Sequence, residues 1–167
     1  MPEIIPSEIK LRGAVPEDAE RITRVYMESA EHHKGLDPER YSVPSFDAIA
    51  ARYREGRQHS ADPGAAVITL VAERGSEIVG FVDARLDYSP DPMHKELTYC
   101  HIVEIAVGGR HRSQGIGEKL LRAAEDWGRG QGADLMSLEY NAANSRAAEF
   151  YQRMGFRPAS ITAIKRL

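Results

Sequence analysis

A basic, glycine-rich stretch at residues 108–117 carries the clearest chemical signal in this sequence. It follows the apolar run Ile105-Ala106-Val107 and leads into a segment of helical periodicity, so the pattern predicts a strand, a tight loop and a helix N-terminus. The first turn of a helix leaves its N–H groups unpaired, and glycine lets the backbone approach a bound group closely. With Arg110 and Arg112 adding positive charge, the stretch is suited to bind a phosphate or pyrophosphate.

The spacing of the glycines excludes two common phosphate-binding motifs. A Rossmann fingerprint needs glycine or alanine three positions after Gly117, where this chain has Leu120, and a P-loop needs Gly-Lys-Ser/Thr, which the sequence lacks. What remains is the pattern Arg-x-x-Gly-x-Gly, formed by Arg112, Gly115 and Gly117 directly after a predicted strand.

A second spaced pattern lies downstream, between residues 138 and 156. A predicted strand is followed by asparagine, alanine, tyrosine and a Gly-Phe pair at Asn144, Ala147, Tyr151, Gly155 and Phe156. Together the two patterns resemble the cofactor motifs of the Gcn5-related N-acetyltransferase (GNAT) superfamily. The resemblance extends over about residues 9–167; it is specific in the cofactor half and rests only on the order of elements in the N-terminal half.

The resemblance implies acetyl-coenzyme A (acetyl-CoA) as the cosubstrate and a primary amine, on a small molecule or a protein, as the acceptor, with direct attack in a ternary complex. The strands that end at Val107 and Tyr140 would diverge, and the pantetheine arm would pair with the backbone between them. The residues implied to bind the cosubstrate are Ile105, Ala106, Val107, Arg112, Ser113, Gln114, Gly115, Ile116, Gly117, Asn144, Ala147 and Tyr151. The alternative is a non-catalytic acyl-CoA-binding or regulatory module.

Acetyl transfer to an amine requires a neutral amine and a proton for the departing thiolate. At pH 7, deprotonation costs about 4.6 kcal/mol for a lysine side chain and about 1 kcal/mol for an α-amine, so the need for a base depends on the acceptor. The resemblance implies that Tyr151, in the second motif, is the acid. The purely structural explanation for Tyr151 is an aromatic side chain that packs a helix against the sheet.

Three residues are candidates for the base. Strict alternation along the strand predicts that His101 shares a face with Val107, and its spacing from Arg112 matches the position of a base in histone and serotonin acetyltransferases of the superfamily. Glu139 matches the glutamate of the ribosomal-protein N-terminal acetyltransferases. Glu104 is expected on the opposite face unless a β-bulge intervenes, which favours a solvated or structural carboxylate. A chain of water molecules is the remaining alternative.

Two loops are expected to form the acceptor side of the site. The resemblance implies that residues 32–46 cover it, and the segment at residues 89–94 is a second candidate wall. His32 and His33 lie near the predicted end of a helix, where a cation complements the helix dipole, and contact with the acceptor is the alternative. The sequence contains no His-Glu-x-x-His motif and no cysteine pair, so we expect no metal ion.

Composition restricts the class of protein. The chain has 167 residues, of which 42% are hydrophobic and 28% charged, and its net charge of −3 argues against a nucleic-acid partner. No apolar run approaches the length of a membrane span, and the N-terminus lacks the pattern of a secretory leader. We therefore expect a cytoplasmic protein with no membrane partner. A homodimer is possible, because dimers are frequent in the superfamily.

The elements that must position these residues follow from hydrophobic periodicity, which predicts the order β-α-α-β-β-β-α-β-α-β. Asn144 is expected to cap the last helix, and Phe156 to Leu167 is expected to form a short closing strand. The fold class is α/β: one N-acetyltransferase domain over residues 1–167, with the acyl-CoA N-acyltransferase fold that the resemblance implies. Its central sheet would be mixed and mostly antiparallel, with diverging parallel strands and helices on both faces.

Overall fold

The computed structural model describes residues 8–56, 66–89 and 91–167. Five strands form one mixed sheet, in which the first four are mutually antiparallel and the last pair is parallel. In spatial order, which is also chain order, they are β1 (Ile9–Gly13), β2 (Val67–Arg74), β3 (Glu77–Tyr88), β4 (Thr98–Val107) and β5 (Leu135–Leu138). The α-helices are α1 (Ala19–Leu36), α2 (Phe46–Arg54), α3 (Ile116–Gly130) and α4 (Ser145–Arg153).

The sheet separates two apolar clusters, one on each face. On one face, Ile22 of α1 and Tyr53 of α2 pack against Phe81 of β3. On the other face, Leu120 of α3 packs with Val82 of β3, and side chains of α4 extend the same cluster. The predicted fold class and the order of the elements before the C-terminal segment are therefore confirmed, with helices on both faces of a mixed sheet.

A β-bulge in β4 changes which side chains share a face. Asp83 of β3 pairs with Glu104, but the next residue of β3 pairs with Ile102, so Val103 is an extra residue in β4. As a result, Ile102 and Val107 contribute to the same cluster under α3 although they are five residues apart. The alternation expected for His101 was therefore wrong: His101 lies on the face of α1 and α2, as Glu104 does, and opposite Val107.

The predicted closing strand at Phe156 to Leu167 is also absent. In the described chain, residues 157–167 are exposed throughout and form no backbone–backbone hydrogen bond. The prediction was wrong because strand propensity is expressed only in a ladder, and no neighbouring strand accepts this segment. The other elements agree with the expected periodicity, although β5 is shorter than the predicted run of residues 134–140. Pro90, in the segment at residues 89–94, lies outside the described residues.

Candidate active site

The parallel strands β4 and β5 diverge, as the resemblance implied. They pair only between Tyr99–Ile102 and Leu135–Leu138, so in the part of the chain that the structure describes, residues 105–107 of β4 form no ladder with β5. The divergence opens a cleft of about 880 Å³, within the range of small-molecule sites. All the residues expected to bind the cosubstrate line this cleft except Gln114.

The loop between β4 and α3 presents unpaired backbone donors at one end of the cleft. Among the described residues, the N–H groups of residues 112–117 have no hydrogen-bond acceptor. Two residues of the loop have positive φ, Ser113 at 59° and Gly115 at 75°, and Gly115 immediately precedes α3. A left-handed residue next to a helix N-terminus turns successive N–H groups toward one point, and such a concavity binds anions.

Two elements, β2 and α1, hold this loop in place. Arg74 at the end of β2 donates to the Gln114 side chain over 2.9 Å, which explains why Gln114 faces away from the cleft. Glu28 of α1 accepts a 2.6 Å hydrogen bond from the backbone N–H of Gly109. The loop is therefore fixed from both faces of the sheet, so little ordering entropy remains to be lost when an anion binds.

The start of α4 forms the opposite wall of the cleft. The side chain of Asn144 accepts from the N–H of Ala147 over 3.1 Å, which confirms the predicted helix cap. From the first turn, Arg146 donates to the Ser113 hydroxyl over 2.9 Å and so connects α4 to the anion loop. Phe150 lies 3.5 Å from where a Cβ of Gly117 would be, so α4 packs closely against the first turn of α3.

Tyr151 lies in the cleft within an aromatic cluster. Its ring centroid is 5.5 Å from that of Tyr140, 5.2 Å from Phe150 and 5.8 Å from Phe156. Burial, with a smaller effect of the Glu104 carboxylate, raises the pKa of Tyr151 to about 12. The hydroxyl therefore remains protonated at neutral pH and is available as a proton donor.

The bulge in β4 places Glu104 on the same face of the sheet as His101, not on the opposite face as expected. Its carboxylate lines the cleft and accepts a 3.0 Å hydrogen bond from the Ser29 hydroxyl of α1. Glu139, just beyond β5, also lines the cleft. Sequence reasoning gave Glu104 a structural role because nothing in the residue types around Val103 distinguishes a bulge from regular alternation.

His101 is placed differently from the expectation. Its Nδ1 is 3.0 Å from the Ser137 hydroxyl of β5, and among the described residues it is not one of those that line the cleft. Burial and the nearby Arg85 lower the pKa of its imidazole. Cys100, beside it in β4, is buried under α3, and burial raises its thiol pKa to about 11, so the thiol has a structural role in the core.

The acceptor side of the cleft is formed by the end of α1 and the segment that follows it. His33 and Tyr41 line it, with their ring centroids 5.4 Å apart. His32 lines it too, and burial, with a smaller effect of Arg112, lowers its imidazole pKa. The second expected wall, at residues 89–94, does not border the cleft where it is described.

Neither a metal-binding cluster nor a membrane-spanning helix occurs in the part of the chain that the structure describes. In residues 8–56, 66–89 and 91–167, no group of three histidine, cysteine, aspartate or glutamate side chains is arranged to hold a metal ion. None of the described helices is long and apolar enough to cross a membrane.

Together, fold and cleft define an α/β protein whose diverging parallel strands open a cleft beside a loop of unpaired backbone N–H groups among the described residues. The sequence profile described as the acetyltransferase (GNAT) family matches residues 21–156. Since this match covers most of the chain, the chain belongs to the acetyltransferase (GNAT) family.

Curated relatives are similar in sequence to about half of this chain. N-acetyltransferase 8B of Rattus norvegicus is 36% identical over 86 residues, which are 52% of this chain and 37% of that protein. The N-alpha-acetyltransferase of Sulfurisphaera tokodaii is 30% identical over 96 residues, 55% of this chain and 58% of that protein. The aminoalkylphosphonate N-acetyltransferase of Salmonella typhimurium is 31% identical over 97 residues, 58% of this chain and 61% of that protein. The matched part is thus less than two thirds of each relative.

Solved structures match nearly the whole chain. A mutant of the BH1408 protein from Bacillus halodurans superimposes with a TM-score of 0.83 and 21% identity, over 95% of this chain and 99% of that chain. AAC(6')-Iy in complex with the bisubstrate analogue CoA-S-monomethyl-acetylneamine has a TM-score of 0.71 and 21% identity, over 96% and 99% of the two chains. At this identity the likeness shows the fold alone.

Proposed function

We propose that this protein is an acetyl-CoA-dependent N-acetyltransferase that acts on a primary amine. The observation that carries the proposal is that one cleft contains an open strand edge at residues 105–107 and, at residues 112–117, a loop whose backbone N–H groups have no acceptor among the described residues. The same cleft contains the protonated Tyr151 and the carboxylate of Glu104. The activities after which the curated relatives are named support acetyl transfer to nitrogen. The family alone does not identify the amine.

The shape of the cleft suits an elongated, phosphorylated cosubstrate. The unpaired backbone of residues 105–107 would hold the amides of a pantetheine arm as an added strand would. The N–H groups of residues 112–117 would bind the pyrophosphate, where each charge-assisted bond contributes roughly 1.5–3 kcal/mol. When bound, acetyl-CoA supplies an acetyl group activated as a thioester.

We assign the role of base to Glu104 in preference to the two candidates expected from the sequence. Glu104 lies in the cleft, and its charge affects the pKa of Tyr151, so the two groups face the same space. Glu139 also lines the cleft and stays a prediction as the alternative base. His101 bonds to Ser137 instead of bordering the cleft. Glu104 would take a proton from the incoming ammonium group, directly or through one water molecule.

The second proton transfer belongs to Tyr151. Its hydroxyl would donate a proton to the departing thiolate. The raised pKa keeps the hydroxyl protonated until the thiolate forms. Carboxylates and aromatic rings together line the acceptor side, including Glu104, Glu139 and Tyr41. Such a lining favours an acceptor that arrives as a cation.

The proposal is tested by thiol release from acetyl-CoA in the presence of pooled small amines and short peptides with free N-termini. We expect amine-dependent release by the unmodified protein. Glu104→Gln should lower kcat about 100-fold or more, Glu139→Gln should lower it less, and Glu125→Gln, on the exposed face of α3, should leave it unchanged. Tight binding of acetyl-CoA without turnover on any amine would instead identify a binding module.

A further inference from the structure

A stripe of side chains along α1 changes from apolar to polar where it reaches the cleft. Ile22 and Val25 are buried against the sheet. The same stripe continues at helical spacing to Tyr26, Ser29 and His33, which line the cleft. Packing alone would continue the apolar stripe to the end of the helix, so the serine and the histidine indicate a role in the cleft.

Ser29 connects this stripe to a carboxylate of β4. Its hydroxyl donates to Oε1 of Glu104 over 3.0 Å, and the hydroxyl oxygen also lies 3.4 Å from Nδ1 of His33. The backbone carbonyl oxygen of Ser29 is 2.9 Å from the same Nδ1. One residue of α1 therefore holds both a carboxylate and an imidazole, and both belong to residues that line the cleft.

The contact with the carbonyl determines where a neutral His33 ring carries its hydrogen. A carbonyl oxygen can only accept a hydrogen bond, so Nδ1 of His33 is the donor. Nε2 of the neutral ring then carries a lone pair and acts as an acceptor. The ring also packs against Tyr41, with 5.4 Å between the two centroids, so its orientation is set before any ligand binds.

We propose that Ser29 is a positioning residue that holds Glu104 and His33 as a pair of hydrogen-bond acceptors for one amine nitrogen; this inference rests on the acetyl transfer proposed above. Glu104 takes a proton from the arriving ammonium group, so an N–H bond breaks and an O–H bond forms on the carboxylate. Nε2 of His33 accepts a second N–H and keeps the neutral nitrogen in place for its attack on the thioester.

The hydroxyl of Ser29 also has a purely structural explanation, which is that it helps to join α1 to β4. Two properties separate the explanations. Alanine favours a helix more than serine does, so Ser29→Ala should not weaken α1 itself. A residue that acts through Glu104 loses its effect once Glu104 is replaced, whereas a residue that only supports the fold has the same effect in both backgrounds.

The first test measures thiol release with saturating acetyl-CoA and the pool of small amines and short peptides named above. Ser29→Ala should lower the maximal rate about 10-fold or more, while Ser29→Thr, which keeps the hydroxyl, should stay within about threefold of the wild type. In the Glu104→Gln background, Ser29→Ala should change the rate less than about twofold. The control Glu31→Gln, on the exposed side of α1, should behave as the wild type, and isothermal titration should give the same affinity for acetyl-CoA in all these variants.

The second test concerns His33. His33→Ala should raise the pool concentration that gives half-maximal release about tenfold and change the maximal rate less, because the lost contact anchors the amine. Independently of turnover, nitrogen NMR spectra of the imidazole, at a pH where the ring is neutral, should show the Nδ1–H tautomer. The signals that disappear in His33→Ala identify this ring.

Failure of this inference differs from failure of the proposed function. No thiol release by the unmodified protein would contradict the proposed function, and the inference with it. Release that depends on Glu104 but is unchanged in Ser29→Ala would overturn the inference alone. So would an equal loss from Ser29→Ala in both backgrounds, a lower maximal rate without a change in the half-maximal concentration for His33→Ala, or the Nε2–H tautomer in the neutral His33 ring.

Discussion

At the scale of single residues, backbone groups dominate the proposed anion site. The N–H groups of residues 112–117 are unpaired among the described residues, whereas Arg112 uses its Nε to donate to the Val107 carbonyl over 3.2 Å. Arg110 is exposed and does not line the cleft. A fixed N–H group loses no side-chain entropy on binding, while an exposed arginine does and is screened by salt.

This difference predicts the effects of two substitutions. Gly117→Asp places a carboxylate beside the unpaired N–H groups, near Phe150, and should weaken acetyl-CoA binding at least about 100-fold, because it both repels the pyrophosphate and crowds the first turn of α3. Arg110→Ala should weaken binding by less than about fivefold. Isothermal titration measures both affinities. The reverse order would show that side chains, and not the backbone, hold the anion.

Tyr151 permits a second prediction at this scale. Tyr151→Phe keeps the ring in its aromatic cluster and removes the hydroxyl, so kcat should fall about 10- to 100-fold while the affinity for acetyl-CoA changes less than about twofold. Because the pKa is raised to about 12, the wild-type rate should show no loss of this proton below about pH 11. Equal kcat in the two proteins would remove Tyr151 from the proton transfer.

At the scale of elements, a buried ion cluster joins β1 to α1. Asp18, fully buried, accepts from Arg12 over 2.6 Å, from Arg21, and from the Val15 N–H over 2.9 Å. The Arg12 guanidinium is the largest cause that lowers the Asp18 pKa to about 2 from its usual 3.8. A carboxylate whose pKa is lower in the folded than in the unfolded protein stabilises the fold at pH values above its unfolded-state pKa. This stabilisation is lost as the pH falls through the folded-state pKa.

The cluster should therefore contribute about 2 kcal/mol near neutral pH and lose that contribution between about pH 4 and pH 2. Urea unfolding across this range should show a weaker pH dependence for Asp18→Asn than for the wild type. Asp126→Asn, which changes an exposed carboxylate on α3, is the matched control and should follow the wild type. The same slope in wild type and Asp18→Asn would contradict the assigned pKa.

At the scale of elements, the sequence predicted the helices and strands but not the β-bulge in β4. Periodicity identified the helices and the five strands, because burial against a shared sheet imposes its period on each segment. The extra residue at Val103 left no such trace, since apolar residues at 102, 103, 105 and 106 suit either register. That one residue decides whether Glu104 lies on the same face of the sheet as His101, where it contacts α1, or on the opposite face.

At the scale of the whole molecule, the cleft exists because two parallel strands share only four paired positions. The spaced motifs predicted this divergence only through the resemblance to the GNAT superfamily, since no local pattern states where neighbouring strands separate. The C-terminal segment shows the same limit of prediction from local sequence. Its residues favour a strand, but the partner that a strand requires is not encoded in its own sequence.

The most direct test of the central claim is a crystal structure of the protein with CoA bound. We predict the pyrophosphate on the N–H groups of residues 112–117, the pantetheine amides on the backbone of residues 105–107, and the thiol within hydrogen-bonding distance of the Tyr151 hydroxyl, on the side of the cleft that Glu104 faces. CoA bound outside this cleft, or with its thiol directed to His101, would contradict the proposed site.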